Sequence, residues 1–415
     1  MRDKWIRILL GLGIVASLAS IFVANILLSL ALLAWIIYSL GRGNFHLVLP
    51  SFAWPFFAFA LLTMISMAFS PHPLISAINL KKLLLFACVF LFVTVLKRSD
   101  VKMIFRGLYA LLAVSASWAI LQYFWLLDVG PLNRVRGLMS HWMTFSAQLM
   151  LGIVSIVALL AFYIFRHPKR NRLRDFLCVL TLVLMSLALL LTQTRNAWLG
   201  TALGVLILSV LYGYRFNLSP SRPALLRGAY GLRWTAAAAA VLTLTVLLMP
   251  ARYQERLRAG FDTQDYTTSI RIELLKTGWN MVSAHPWAGV GPRMIPNVYS
   301  GYATLDDFPP EAYQHLHNNY VQIAAESGLP TLLAWLAMWG VLGVSLIRLV
   351  SGAGDDRFLF FTCVSALASL AAFLTAGIFE YNFGDSEVVI LLLFLIASPY
   401  AVQRDPVTEE GPPGT

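Results

Sequence analysis

The chain has 415 residues, 59% hydrophobic and only 12% charged, about half the charged share of roughly 25% usual in soluble domains. A soluble fold cannot hide that much apolar surface, and a disordered chain would show the opposite balance. The composition predicts an all-α polytopic membrane protein and excludes a cytosolic enzyme, a secreted disulfide scaffold and a nucleic-acid-binding module. The net charge of +11 is read from where the charges fall. Cys88, Cys178 and Cys363 lie within apolar runs and behave as small hydrophobes without a disulfide or metal pattern.

A membrane span takes about 20 apolar residues. In chain order, the apolar runs predict twelve spans, at 6–21, 24–40, 51–69, 83–96, 107–127, 143–165, 176–193, 197–213, 232–249, 329–350, 358–378 and 387–403. The first two form an almost continuous run, read as an uncleaved helical hairpin. The span at 83–96 is short and is expected to extend through its flanking lysines. Nine spans thus occupy 1–249, a long loop occupies 250–328, three spans occupy 329–403, and 404–415 is a polar tail.

Lys and Arg gather in the loops on the side of the N-terminus, at 97–106, 166–174 and 215–233 above all. This bias places both termini in the cytoplasm. No Asp, Glu, Lys or Arg falls near the middle of a predicted span, which argues against a charge-coupled transporter. Structureless loops beyond about 12–15 residues are uncommon and usually functional, so the 250–328 loop on the outer face is where function is sought.

Within that loop, residues 268–283 set Ile270, Leu274, Met281 and Val282 at helical spacing. They predict an amphipathic helix lying along the membrane surface. His285-Pro286 and Gly289-Val290-Gly291-Pro292 follow as turn signals. A second helix is expected to begin after Pro309-Pro310 and to end at Gly328, with Pro330 opening the next span.

Several outer-face groups carry chemistry. Arg271 has no carboxylate three or four positions away on its helix, whereas Glu273 has Lys276. It reads either as a solvated cation or as an anion ligand. Arg195, in Thr194-Arg195-Asn196-Ala197-Trp198, reads either as a snorkelling anchor or as a second ligand of that kind. His317, in His315-Leu316-His317-Asn318-Asn319-Tyr320, is structural or a general base. His315 and His317 would point to different sides of a helix, which argues against joint metal ligation. Asp306-Asp307 reads more simply as a solvated turn than as a cation site, so no metal is expected. His285, Glu380, Asp385 and Glu387 also face out, with no sign from sequence that they converge.

The phrase HNNYVQIAAESGLPTLLAWL, with TRNAWLG and RIELLKTGWNMVSAHPWAGVGP, resembles the O-antigen ligase family of bacterial inner membranes. The resemblance covers roughly residues 130–390 and is strongest over 271–330. It implies a C-type glycosyltransferase fold and a metal-independent enzyme of lipopolysaccharide biosynthesis that needs no cofactor. Such an enzyme moves a glycan from undecaprenyl pyrophosphate to a sugar hydroxyl of lipid A-core on the periplasmic face, among membrane lipids. The resemblance makes His317 the catalytic residue and Arg195 and Arg271 the pyrophosphate ligands, with Arg136, Asn318, Tyr320 and Asp385 as secondary positions. The segment 379–388 looks like the family's last outer loop. An O-antigen polymerase and a protein O-oligosaccharyltransferase are the enzymatic alternatives, and a membrane transporter is the non-enzymatic one. The short polar tail after 403 favours the ligase over the protein-modifying enzyme.

Overall fold

A computed structural model describes residues 2–43, 45–125, 133–166, 171–217, 250–260, 262–304 and 314–405. Every regular element among them is helical. In chain order these are α1 (Arg2–Ala16), α2 (Ile21–Gly41), α3 (Ala53–Ala68), α4 (Pro73–Ala77), α5 (Leu80–Val95), α6 (Arg98–Trp125), α7 (Trp142–Arg166), α8 (Arg172–Leu191) and α9 (Arg195–Asn217). There follow α10 (Ala251–Arg258), α11 (Tyr266–Ala284), α12 (Ile295–Val298), α13 (Asn319–Gly352), α14 (Arg357–Ala376) and α15 (Ser386–Arg404).

Nine helical segments among the described residues are long and apolar enough to cross a membrane, where twelve spans were expected. Of the other three, the span at 232–249 lies outside the described residues. The helix α3 is apolar but shorter, at 16 residues, and α1 has 15. The hairpin divides earlier than its apolar run suggests, because Ser20 caps α2 by accepting a hydrogen bond from the Val23 amide. The helix α5 does extend through Lys81 and Lys82.

α7, α14 and α15 form the centre of the bundle, being 83%, 72% and 78% buried over their apolar windows against 17% for α8 and 22% for α2. Lipid offers little drive for apolar helices to pack, so contact depends on small residues and internal hydrogen bonds. The Tyr109 and Ser365 hydroxyls both bond Ser155, at 2.6 and 3.0 Å, and Gln148 donates to the Ser17 carbonyl at 3.0 Å. Gly200 and Gly204, four apart on α9, press against the backbone of α14. A Cβ on Gly200 would stand 2.8 Å from the Ala372 carbonyl and clash with the Met150 sulfur. At one end of the bundle, Arg98 pairs with Asp356 and donates its amide to Asp405 at 3.0 Å. The loops between α6 and α7, α8 and α9, and α14 and α15 lie at the other end, and the functional groups gather there.

The helix predicted over 268–283 is α11, but its apolar face does not lie open for a membrane. Leu274, Met281 and Val282 are buried in a separate small core with Val290, Met294, Leu316 and Ala325. A Cβ on Gly278 would strike the Val321 and Leu316 side chains. Glu273 also departs from expectation, since it accepts hydrogen bonds from the Thr304 amide and hydroxyl. The second loop helix begins at Asn319, later than expected, and Asn318 caps it through the Tyr320 and Val321 amides.

Gly328 does break that helix, with φ +85° and ψ +165° inside α13. A broken helix strands backbone groups that must find partners. The His285–Gly291 turn supplies them: the Val290 and Gly291 amides donate to the Ala325 and Glu326 carbonyls at 2.8 and 2.9 Å, and the Leu329 amide donates to the Pro286 carbonyl at 2.8 Å. Gly289, at φ +68°, has no room for a Cβ against the Glu326 carbonyl. The short helical half, 319–327, is thereby locked to the turn that follows α11.

Because α9 carries Arg195 at its first residue and α14 leads into the 377–385 loop, the Gly200 contact sets the spacing between two sides of the candidate site. Gly200→Leu should force these helices apart, at a cost of about 1–3 kcal/mol typical of overpacking. It should lower both the thermal midpoint in detergent and the activity. An unchanged midpoint would mean that the contact is dispensable.

Candidate active site

The His315–Tyr320 segment is held by asparagines. The Asn319 amide donates to the Gly377 carbonyl at 2.7 Å, and its side chain donates to Asn382 Oδ1 at 2.6 Å and accepts from the Phe383 amide at 3.1 Å. The Asn318 side chain donates to the Ile378 carbonyl at 2.7 Å. These bonds fasten the start of α13 to the 377–385 loop. Gly377 has no room for a Cβ beside the Asn319 amide nitrogen. His317 precedes the cap in a left-handed conformation, φ +48°, which is uncommon for a residue other than glycine and costs of order 1–3 kcal/mol.

That conformation turns His317 onto Glu380. Nδ1 of His317 lies 2.9 and 3.0 Å from the two Glu380 carboxylate oxygens. Glu380 Oε1 also accepts from the Tyr381 amide at 3.0 Å. Arg271 Nη2 stands 3.7 Å from Oε2, and His315 Nδ1 stands 3.8 Å from Oε1. Glu380 is 5% exposed. Burial alone would raise its pKa, but the charge and hydrogen bond of His317, then His315 and Arg271, hold it well below the usual carboxylate range. The carboxylate is therefore ionised at neutral pH and accepts the Nδ1 proton. In the neutral imidazole this leaves the lone pair on Nε2.

His315 and His317 do not point apart, as they would on a helix. Neither is in α13, and their ring centroids are 4.2 Å apart. Burial pushes the His315 pKa down to about 4, and its Nδ1 accepts from the His317 amide at 3.4 Å. His315, His317 and Glu380 bring potential ligand atoms within 4.8 Å of one another, so they are the described residues best placed to hold a metal. The Arg271 guanidinium beside the same carboxylate opposes a cation there. Asp306-Asp307 lies outside the described residues.

Arg271 is thus paired, through a carboxylate 109 positions away in sequence rather than on its own helix. Arg195 is paired more loosely, with Asp265 at 3.9 Å and the Arg256 carbonyl at 3.3 Å. Asp265 is also the N-cap of α11, so it ties the helix bearing Arg271 to the start of α9. Two further arginines join these. Arg134 is 8% exposed. Burial and the nearby charges of Arg256, Arg271 and Arg195 push its pKa down to about 10, still cationic at neutral pH. Burial lowers Arg256 too, with Asp265 opposing and Arg271 reinforcing the shift. The Nε atoms of Arg134 and Arg256 are buried without a hydrogen-bond partner among the described residues. Four guanidiniums held close enough to repel, paired only with Asp265 beside Arg195 and Glu380 beside Arg271 among the described residues, make an anion-binding region.

The secondary residues divide. Arg136 bonds the Ser140 carbonyl at 3.1 Å and faces a cleft shared with Ser20 and Glu387, while its neighbour Arg134 joins the arginine group. Tyr320 donates to the Leu374 carbonyl at 3.0 Å and packs edge-on against Trp335, in a structural role. Asn318 is a cap. Asp385 accepts from Thr144 at 3.1 Å. Burial, with Glu380 and Glu387 nearby, raises its pKa to about 7.

Sequence reasoning named His317, Arg195 and Arg271, and left Glu380 among several outward-facing acids. Glu380 carried no local signal, because its partners come from α11 and the segment before α13. Arg256 lay in the arginine-rich ARYQERLR stretch of the loop, a legible signal that was passed over. Arg134 and Arg136 cannot be told apart from sequence.

Among known families, residues 180–336 match the model described as O-antigen ligase. The matched stretch contains Arg195, Arg256, Arg271 and His317, but neither Arg134 nor Glu380. No curated protein matches the chain. Over residues 180–336 the chain thus carries a domain of the O-antigen ligase type, from a family whose ligases and polymerases transfer lipid-linked glycans.

Proposed function

We propose that this protein is an O-antigen ligase. On this reading it transfers a glycan from undecaprenyl pyrophosphate to a sugar hydroxyl of lipid A-core, at the periplasmic face of a bacterial inner membrane with both termini in the cytoplasm. The observation that carries the reading is a histidine oriented by a buried carboxylate next to a group of arginines. Transfer from a lipid pyrophosphate needs a base for the acceptor hydroxyl and stabilisation of the departing diphosphate. His317 and the arginines offer both.

In the mechanism, Glu380 holds Nδ1–H of His317 and so presents Nε2 to the acceptor. Nε2 takes the hydroxyl proton as the acceptor oxygen attacks the anomeric carbon. The bond from that carbon to the pyrophosphate oxygen breaks, and its electron pair leaves with the diphosphate. Arg195, Arg271, Arg256 and Arg134 face the charge that develops there, and fixed cations stabilise such charge without reorganising. A single displacement inverts the anomeric centre. Glu380 also pairs with Arg271, so one carboxylate couples the base to the leaving-group side.

The direct test is reconstitution in liposomes with undecaprenyl-pyrophosphate glycan and lipid A-core, in EDTA. Wild type should glycosylate lipid A-core, and His317→Ala should not. Longer lipid-linked chains without a lipid A-core product would show a polymerase instead, and a reaction that EDTA stops would contradict metal independence. Glu380→Gln keeps the shape and removes the charge, so transfer should fall at least about 100-fold, within the range for loss of general-base catalysis. Near-normal turnover in that variant would remove Glu380 from the mechanism. Arg256→Ala should weaken binding of the pyrophosphate donor about tenfold or more, as expected for a charged hydrogen bond. The same loss with a donor analogue lacking the pyrophosphate would place Arg256 elsewhere.

A further inference from the structure

Glu380 also lines a chamber of about 550 Å³ that Arg271 does not line, within the size range of small-molecule sites. His315 and Glu380 form part of its wall, and none of the four arginines lines it. Its polar groups are of both signs: Lys82, Arg293, Glu326 and Asp385. Tyr381 is there too, with its ring beneath the Lys82 ammonium at 5.1 Å. Lys82 is half-buried, and its ammonium makes no hydrogen bond or ion pair within 4 Å among the described residues. Such a mixture does not suit a pyrophosphate. It does suit a polyol, because each sugar hydroxyl can donate to a carboxylate and accept from an ammonium group.

The chamber does not end at its polar wall. Lys81, Asp385, Ser386 and Glu387 also line a second cavity, of about 520 Å³, that runs between α2 and α5. There the lining turns apolar, with Leu28, Leu32, Leu84 and Leu85, yet Asn25 and Ser29 of α2 face it as well. Asn25, Leu28, Ser29 and Leu32 follow the i, i+3, i+4, i+7 spacing of one helix face. Asn25 and Ser29 are exposed on a helix otherwise built for lipid, where an unsatisfied amide is costly. A polar partner lying in the groove would satisfy them.

We propose that these two joined cavities bind a lipid-anchored saccharide, with sugar hydroxyls against Lys82 and Asp385 and hydrocarbon between α2 and α5. The inference rests on the transferase reading and assigns the acceptor to this chamber, which the four arginines do not line. Lys82 and Asp385 are positioning and specificity residues, and the groove is the acceptor's route from the membrane. Two glycolipids share the required chemistry, lipid A-core and a polyprenyl-linked glycan, and the test separates them.

The measurement is equilibrium binding to full-length protein in nanodiscs, with transfer followed in parallel. The probes are lipid A-core, its lipid-free core oligosaccharide and undecaprenyl-pyrophosphate glycan. Lys82→Met and Asp385→Asn should weaken lipid A-core and the free oligosaccharide about tenfold, and in transfer raise the acceptor KM while leaving the donor KM unchanged. Leu84→Trp, at an exposed position in the groove, should weaken lipid A-core and spare the lipid-free oligosaccharide. Lys82→Arg, which keeps the charge, should restore much of the binding lost in Lys82→Met and guards against a folding defect. If instead the undecaprenyl-pyrophosphate glycan is the probe that responds to Lys82→Met and Leu84→Trp, the cavities serve the donor and the acceptor assignment is overturned. Variants that leave the binding of all three probes unchanged, or that raise only the donor KM through its pyrophosphate, would overturn it. Binding is read without turnover, so a protein that transfers nothing would sink the ligase reading while these affinities still decide the cavity.

Discussion

One buried carboxylate organises the functional end of this protein. Glu380 is 5% exposed and would be costly to keep ionised alone, since an isolated charge in a low-dielectric site is strongly disfavoured. It remains charged because His317, Arg271 and the Tyr381 amide converge on it. Those partners come from three stretches of chain, so the carboxylate is also the point where α11, the segment before α13 and the loop between α14 and α15 are joined. Removing it would leave an imidazole without an orienting partner and an arginine without its counter-charge.

The scaffold around it is built to keep that convergence fixed. Asn318 and Asn319 fasten the start of α13 to the 377–385 loop. The Gly328 break is sealed by amides from the His285–Gly291 turn and by Ser66, whose hydroxyl bonds the Ala288 carbonyl at 2.6 Å. Broken helices at membrane depth are tolerated where other protein satisfies their freed groups, and here that turn and Ser66, which also bonds the Glu326 carbonyl at 3.0 Å, do so. The positive φ at His317 is strain that this framework can hold, and it is what directs the ring onto the carboxylate.

Much of the fold was legible because lipid imposes simple rules: apolar length gave nine of the twelve expected spans among the described residues, and the lysines flanking the 83–96 run predicted a longer α5. What failed were the places where tertiary contacts override local pattern. α11 has the periodicity of a surface-seeking helix, yet its apolar face meets Leu316 and Val321, which sequence spacing cannot reveal. The Asn318 cap displaced the start of α13, and so two histidines expected on opposite helix faces lie side by side. Arg195, Arg271 and His317 stood out through motif and resemblance, whereas Glu380 looked like any other loop acid until its partners were assembled. Arg271 seemed unpaired because pairing was sought along its helix.

The account gives the molecule two chemically distinct environments beside one dyad, a group of arginines and a mixed polar chamber that those arginines do not line. Its central claim is that Glu380 acts through His317. A double-mutant cycle on transfer rate tests this most directly, comparing His317→Ala, Glu380→Gln and the two together. Residues working as one unit lose little more in combination than singly. The account predicts that adding Glu380→Gln to His317→Ala lowers the residual rate hardly further. Losses that multiply in the double variant would show that the carboxylate acts independently of the histidine, and would contradict it.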